Sequence, residues 1–406
     1  MKTYLSHASL AVLAATLLAS PALAQDKTVK IGVLNDMSSL YADIGGPNSL
    51  IAAKMAIEDS GLVAKGWKID IVGGDHQNKP DVGVNLARQW IDVDKVDVIS
   101  DTPNSGVALA INNLVKEKNS ILINSGGATA DLTGKACTPN TISVTYDTYM
   151  LAHGTGKALV KAGGDSWFFL TADYAFGAAL ERDTSAVIKE NGGKVLGGVK
   201  HPINSSDFSS FLLQAQSSKA KVIGLANAGG DTTNAIKQAA EFGIVQGGQK
   251  LAALLLFIND VHSLGLKTAQ GLSFTESFYW DLNDQTRAWS KKFGSQTKTG
   301  AMPSMTQAGL YSGLLHYLKT LEAMGGNPHD GAKVVAKMKE LPTDDTLFGK
   351  STIRADGRKM LTSYLFEVKK PEESKYPWDY YKTIATISPE DSARPLSESE
   401  CPLVKK

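Results

Sequence analysis

The chain is predicted to fold as two doubly wound α/β lobes, each a parallel sheet covered by helices on both faces, joined by a hinge of several crossing strands. Three observations predict this. Apolar, β-branched runs alternate with helical patterns through most of the 406 residues, the signature of buried parallel sheets. That beat runs twice, with a break near residues 141–149 (TISVTYDTY). The length then fits two lobes of similar size better than one very wide sheet.

In the first lobe, residues 29–34 (VKIGVL) read as a strand and 47–59 as a helix with Ile51, Met55 and Ile57 inward. Strands follow at 68–72, 96–100 and 120–124, with helices by period at 81–91 and 105–118. The second lobe repeats the pattern with strands at 167–171, 194–199, 222–226 and 252–258, separated by helices at 177–191, 208–217 and 232–242. After Gly271 the rhythm changes. LSFTESFYW (272–280) reads as a strand, helices follow at 285–293, 302–324 and 331–339, and a hairpin over 349–358 leads into a strand at 362–368. These late elements must return to one lobe and then the other, which creates a hinge and a cleft. The predicted division is 27–146 plus 275–345 for the first lobe, 147–274 plus 346–390 for the second, and 391–406 for a C-terminal tail.

Residues 1–24 are read as a signal peptide, with Lys2 in the n-region, an apolar stretch from Leu10 to Leu18, and Ala22-Leu23-Ala24 as the cleavage pattern. That stretch is well short of the ~20 residues a spanning helix needs. Export to the periplasm is expected, without a lipid anchor because no cysteine follows the apolar stretch. The two cysteines, Cys137 and Cys401, would meet an oxidising compartment. One disulfide pinning the tail is the economical reading, with two free thiols as the alternative. A formal charge of +1 with interspersed signs speaks against nucleic acid or an anionic membrane as partner.

Ligands of open parallel sheets sit beyond the carboxyl ends of the strands. The loops there are 35–41, 101–106, 124–134 (NSGGATADLTG), 171–177, 227–231 and 257–260. They are rich in Ser, Thr, Asn, Gly and Tyr, and contain no Lys or Arg. Helix N-terminal N–H groups and hydroxyls can hold a carboxylate without a countercharge. Gly126, Gly127, Ala128 and Thr129 are therefore expected to present backbone donors, with Asn104 and Ser105 facing the same crevice. A tight turn that needs glycine only to reverse direction is the competing account. Tyr41, Tyr174 and Phe176 are candidates to wall a ligand. No GxSxG, HExxH, CxxC or P-loop pattern occurs, and the histidines are scattered. Neither catalysis nor a metal or cofactor is expected.

The order of VKIGVLNDMSSLYADIGGPNSLIAAKMAIED, SDTPNSGVALAI, INSGGATADLTG, TADYAFGAALERD and AAEFGI resembles that of the periplasmic substrate-binding proteins of ABC transporters. The similarity is to the branched-chain amino acid (leucine/isoleucine/valine-binding) group with the type I periplasmic-binding fold. It implies capture of a small carboxylate in the interlobe cleft and delivery to a membrane permease with its cytoplasmic ATPase. A sensor feeding a receptor is the alternative, and an exported α/β enzyme is a more distant one. The resemblance places the ligand carboxylate against Asn104 with Ser105 and against Gly127, Ala128 and Thr129, and it assigns Tyr174 and Phe176 to the second-lobe contact. Ser39 departs from the family's usual glycine, and Phe176 stands where tyrosine is common. Family members that bind amino acids hold the ammonium with acidic residues, for which Asp147, Asp231 or Glu276 would have to serve. Around Phe257 the usual Pro-Glu-Gly is missing. The expected ligand is thus an aromatic or branched keto acid, with a hydrophobic amino acid left open. A monomer is expected.

Overall fold

The structure is a computed structural model and describes residues 27–405. The predicted signal segment lies outside the described residues. The first sheet contains β1 (Thr28–Asn35), β2 (Lys68–Asp75), β3 (Val98–Asp101), β4 (Ile121–Asn124) and β5 (Thr141–Ser143), in the order β2-β1-β3-β4-β5. All its pairings are parallel. The second sheet, also parallel, contains β6 (Ser166–Ala172), β7 (Lys194–His201), β8 (Val222–Ala226) and β9 (Lys250–Ala253), in the order β7-β6-β8-β9. Each lobe is thus an open sheet whose order reverses beside its first strand, and a crevice opens at that point.

Three further segments tie the lobes together. Strand β10 (Ser273–Glu276) leaves the second lobe, and helices at Asp284–Gly294, Met305–Met324 and Gly331–Glu340 follow it. The long helix starts with a reciprocal cap in which Ser304 and Gln307 satisfy each other's backbone N–H groups. Its first turn also grips the first lobe: Ser304 and Thr306 donate to the Ile44 carbonyl, and Gln307 to that of Gly45. A small hairpin, β11 (Thr343–Asp345) with β12 (Gly349–Ser351), precedes a return to β5, where Ser143 N–H donates to Gly357 O at 2.9 Å. Strands β13 (Ser363–Val368) and β14 (Tyr381–Ile387) complete an antiparallel sheet ordered β10-β13-β14.

The first crossing, after β5, is helical and contains a π-turn at Ala152–Gly156. There Gly154 lies so close to β10 that an added Cβ would sit 2.2 Å from Thr275 Oγ1. Cys137 and Cys401 form a disulfide with Cα atoms 5.5 Å apart, pinning the tail to the first lobe.

Two predicted strands are shorter than expected. β9 ends at Ala253, and Leu254 to Phe257 are buried without joining a ladder. β10 ends at Glu276, and Phe278, Tyr279 and Trp280 pack into the core as a turn. β14 was not anticipated.

Candidate functional site

Three loops of the first lobe converge on one wall. The loop after β1 is organised by the buried Asp36 carboxylate, which accepts N–H groups from Ser39 (2.9 Å) and Tyr41 (2.7 Å) and the Asn78 amide (2.5 Å). This turns the Tyr41 ring into the cleft. Where β3 ends, Asp101 and Thr102 both take left-handed backbone angles, φ 81° and 55°, which costs of order 1–3 kcal/mol per residue for non-glycine side chains. The strained pair is over-determined by its surroundings. The Asp101 carboxylate accepts from Ser125 Oγ at 2.8 Å and also from the Asn35 amide. Burial nonetheless raises the Asp101 carboxyl to about 6. The strain sets Pro103 and Ser105 into the wall.

The third loop is NSGGATADLTG. Its glycines have no positive φ; they are needed for close approach. A Cβ on Gly126 would lie 2.6 Å from Pro103 Cα, and one on Gly127 would lie 2.5 Å from Ala108 Cβ. Their N–H groups are spent internally, on Asp101 O and Asn124 Oδ1. The donors that remain belong to Ala128 and Thr129, and both point at Ser105 Oγ, at 3.2 and 3.1 Å. Ser105 is the first residue of the helix Ser105–Lys118. Its hydroxyl oxygen thus occupies a two-donor site at a helix N-terminus, where a ligand carboxylate oxygen would be equally well served.

The second lobe supplies the opposing wall: Tyr174 and Phe176 beyond β6, Ala228 beyond β8, and Leu255 and Phe257 beyond β9. Tyr146, from the crossing segment, donates its hydroxyl to Gly126 O at 2.9 Å and meets Phe257 edge-to-face at 6.2 Å. Together with Tyr41, Ile44, Pro103, Ser105, Gly126 and Ala128 they line a narrow space between the lobes. No charged side chain lines it. The lobes are closed on each other: the Tyr41 and Tyr174 hydroxyls are 2.5 Å apart, and Gly229 (φ 58°) abuts the Leu40 carbonyl so closely that a Cβ would come within 2.9 Å.

Of the residues singled out in the sequence, Tyr41, Ser105, Gly126, Ala128, Tyr174, Phe176 and Phe257 line this space. Thr129 does not line it: its N–H donates to Ser105 Oγ, and its side chain caps the short helical turn at Ala130–Leu132. Gly127 lies behind the wall. Asn104 does not reach the cavity: its Oδ1 caps the helix by accepting from Gly106 and Val107, and its amide donates to Asn78. Asp147 is also a helix cap, pairs with Arg358 at 3.5 Å, and borders a separate polar cavity with Arg354 and Arg394. Asp231 accepts N–H groups from Asn204 and Ser205, and burial raises it to about 6. Glu276 is buried behind the wall with its Oε1 unpartnered among the described residues. Burial, assisted by the nearby Asp260 carboxyl, holds Glu276 well above the usual carboxylate range. Asp260, raised to about 7 by burial, accepts the Phe257 N–H at 2.9 Å.

Tyr146 and Leu255 were not singled out from the sequence. A signal for Leu255 existed in the two-residue spacing of Leu255 and Phe257, which puts both side chains on one face of an extended segment. Tyr146 had none beyond its place in the crossing segment.

Residues 28–374 match the family model described as periplasmic binding protein. Among solved structures, a periplasmic binding protein from Burkholderia mallei is 52% identical, with 93% of this chain and 100% of that one covered and a TM-score of 0.90. A branched chain amino acid ABC transporter periplasmic ligand-binding protein from Burkholderia xenovorans LB400 is 41% identical, with 93% and 100% covered and a TM-score of 0.81. A solute binding protein of an ABC transporter from Rhodopseudomonas palustris HaA2, in complex with p-hydroxybenzoic acid, shares the fold at 22% identity, with 89% and 97% covered and a TM-score of 0.80. The chain belongs to the periplasmic binding protein family, a class of ligand-binding proteins and not of enzymes, and is of the ABC-transporter solute-binding type.

Proposed function

We propose that the protein captures a small carboxylate lacking an ammonium group, an aromatic or branched keto acid, and delivers it from the periplasm to an ABC permease. The observation that carries this is the character of the cavity wall. Its polar end carries the Ser105 hydroxyl, which accepts the Ala128 and Thr129 N–H groups, and the rest is aromatic or aliphatic without a charged side chain. A buried ammonium in such surroundings would cost several kcal/mol. The solute binding protein that holds p-hydroxybenzoic acid supports the ligand class by analogy only. In this reading 27–146 with 275–345 and 147–274 with 346–390 act as two jaws that close over the ligand.

One observation favours a second reading. The Glu276 carboxyl is buried with its Oε1 unpartnered among the described residues. A hydrophobic amino acid whose ammonium reached Glu276 would give that group its partner.

A thermal-shift panel separates the two, using the chain from Gln25 onward, unfolded and refolded to remove carried-over ligand. Each hydrophobic amino acid is paired with its keto acid, and benzoate-type acids are added. A ligand at 100 times Kd adds roughly 2.7 kcal/mol of stability. Shifts from keto or aromatic acids alone support the first reading, shifts from amino acids the second, and no shift from any carboxylate overturns both.

A further inference from the structure

Four hydroxyl side chains line the space between the lobes: Tyr41, Ser105, Tyr146 and Tyr174. Each has one proton to donate, and burial raises the three phenols above their ordinary range, so all of them keep that proton at neutral pH. In a wall that is otherwise apolar, a donor without an acceptor carries the full desolvation cost of its group.

Two of these protons have partners within the protein. Tyr146 donates to Gly126 O at 2.9 Å. Tyr41 and Tyr174, 2.5 Å apart, share one bond, and whichever hydroxyl donates, its partner's proton is left over. Neither has another hydrogen-bond partner among the described residues. Asp231 commits its carboxylate oxygens to the Asn204 and Ser205 N–H groups and bonds neither phenol. Ser105 Oγ accepts from Ala128 and Thr129, and its own proton likewise has no acceptor among the described residues.

The tyrosine pair is placed by the backbones of both lobes. The Tyr41 N–H is held by Asp36 at 2.7 Å, and its carbonyl accepts from Ile44 and Gly45. The Tyr174 N–H donates to Ala172 O at 2.8 Å, just before the helix Ala175–Glu190. Each ring is thus fixed in its own lobe, and the hydroxyls meet at the seam between them. The hydroxyl that accepts is polarised by its partner into the better donor. The two leftover protons therefore sit in different parts of the wall, one at the helix N-terminus of the first lobe and one at the seam. A carboxylate received at Ser105 still leaves the seam proton to be satisfied.

We propose that the Tyr41–Tyr174 pair determines specificity by donating its leftover proton to an uncharged oxygen of the ligand, separate from the carboxylate held at Ser105. The preferred acids carry a keto or hydroxyl oxygen on their apolar body, and the corresponding acids without it are disfavoured, because they strand a buried donor. The inference rests on the carboxylate reading above and narrows it.

The test is isothermal calorimetry on the chain from Gln25 onward, refolded free of ligand, with acids matched except for one oxygen: phenylpyruvate against phenylpropanoate, ketoisocaproate against isocaproate, and p-hydroxybenzoate against benzoate. The parent should bind the oxygenated member of at least one pair about tenfold or more tightly. Tyr41→Phe or Tyr174→Phe alone breaks the bond between the lobes but leaves one hydroxyl free to turn to the ligand. Both members of the pair should weaken by the same factor, so their ratio should hold. Tyr41→Phe/Tyr174→Phe has no proton to give at the seam, and the ratio should collapse to within about twofold. Matched acids that bind the parent equally would overturn the inference. So would a ratio that survives in the double variant, since the pair would then only hold the lobes together or serve the carboxylate itself. Binding of no acid in the panel would instead bring down the carboxylate reading, and this inference with it. Phenylalanine keeps both rings, so the empty variants should melt near the parent; should the double variant fail to fold, the ratio on the parent can still refute the proposal.

Discussion

Replacing Gly229 with alanine separates the energetics of lobe closure from those of the fold. The residue has φ 58° and ψ −132°, a region that costs an L-residue about 1–3 kcal/mol. This strain is internal to the second lobe and is present whether the lobes are open or closed, so it lowers stability without touching affinity. The second effect appears only on closure. An added Cβ would lie 2.9 Å from Leu40 O, 3.0 Å from Tyr41 Cδ1 and 3.3 Å from Ile44 Cδ1, all on the first lobe. The nearest is a backbone atom that cannot rotate away. Relief by a small lobe displacement costs about 1–3 kcal/mol, which weakens ligand binding roughly 5- to 150-fold. Gly230→Ala is the matched control. Its Cβ meets only the flexible Leu40 Cδ1, at 2.9 Å, so its affinity should change less than about fivefold. The assay is isothermal calorimetry with the carboxylate that gives the largest thermal shift, beside melting curves of the empty proteins. If Gly229→Ala melts lower yet binds within about twofold of the parent, the bound lobes do not press together at this point and the reasoning fails.

Ser105→Ala removes the acceptor that satisfies the Ala128 and Thr129 N–H groups; the empty protein should lose about 1–3 kcal/mol, and a saturating carboxylate should recover much of that in melting curves. Equal losses with and without ligand would place the carboxylate elsewhere. The paired substitution Cys137→Ser/Cys401→Ser opens a link with a sequence separation of 264, and a loss of about 2–5 kcal/mol is expected in denaturant titration. Ligand affinity should hold, since the bond lies outside the cavity wall; a large affinity change would show that the tail reaches the hinge. For Asp260, raised to about 7 by burial, the sign runs against the usual carboxylate. Its contribution to stability is complete below the unfolded value of about 3.8 and is lost as pH rises through 7. Asp260→Asn should therefore gain on the parent by about 3 kcal/mol between pH 5 and pH 8, and a flat difference across that window would mean that Asp260 does not titrate there.

The two-lobed architecture was legible because long apolar strands and their covering helices are dictated locally. The run VKIGVL, predicted at 29–34, forms within β1 at 28–35, and the strand predicted at 222–226 spans those residues. Strands failed to appear in sequence where tertiary context decides. Leu254 to Phe257 is as apolar as any strand here and reads as one in the sequence, but it is buried without making a ladder. β14 lacks the alternation that marks a half-buried strand, because four successive residues are exposed. No local pattern distinguishes such an edge from a loop.

At the site, a single physical conflict governs which polar residues were readable. Each strand of these lobes ends near a helix N-terminus, and the residue types that bind anions are the ones that cap helices. Asn104, Asp147 and the Thr129 hydroxyl serve as caps, and Asp260 accepts the N–H that begins its own helix. A side chain with its lone pairs committed to backbone donors has little left for a ligand, so the polar composition of these loops overstates the recognition they provide. What survives the capping demand is one serine hydroxyl together with the two backbone N–H groups that donate to it. That set can hold an oxyanion but offers no charged partner to an ammonium. Binding through neutral dipoles avoids the desolvation of a countercharge. In the proposed reading it also leaves most of the affinity to the aromatic walls, which the closed lobes bring together. The size and shape of the ligand's apolar body should therefore govern affinity more steeply than substituents that only alter the charge density of its carboxylate.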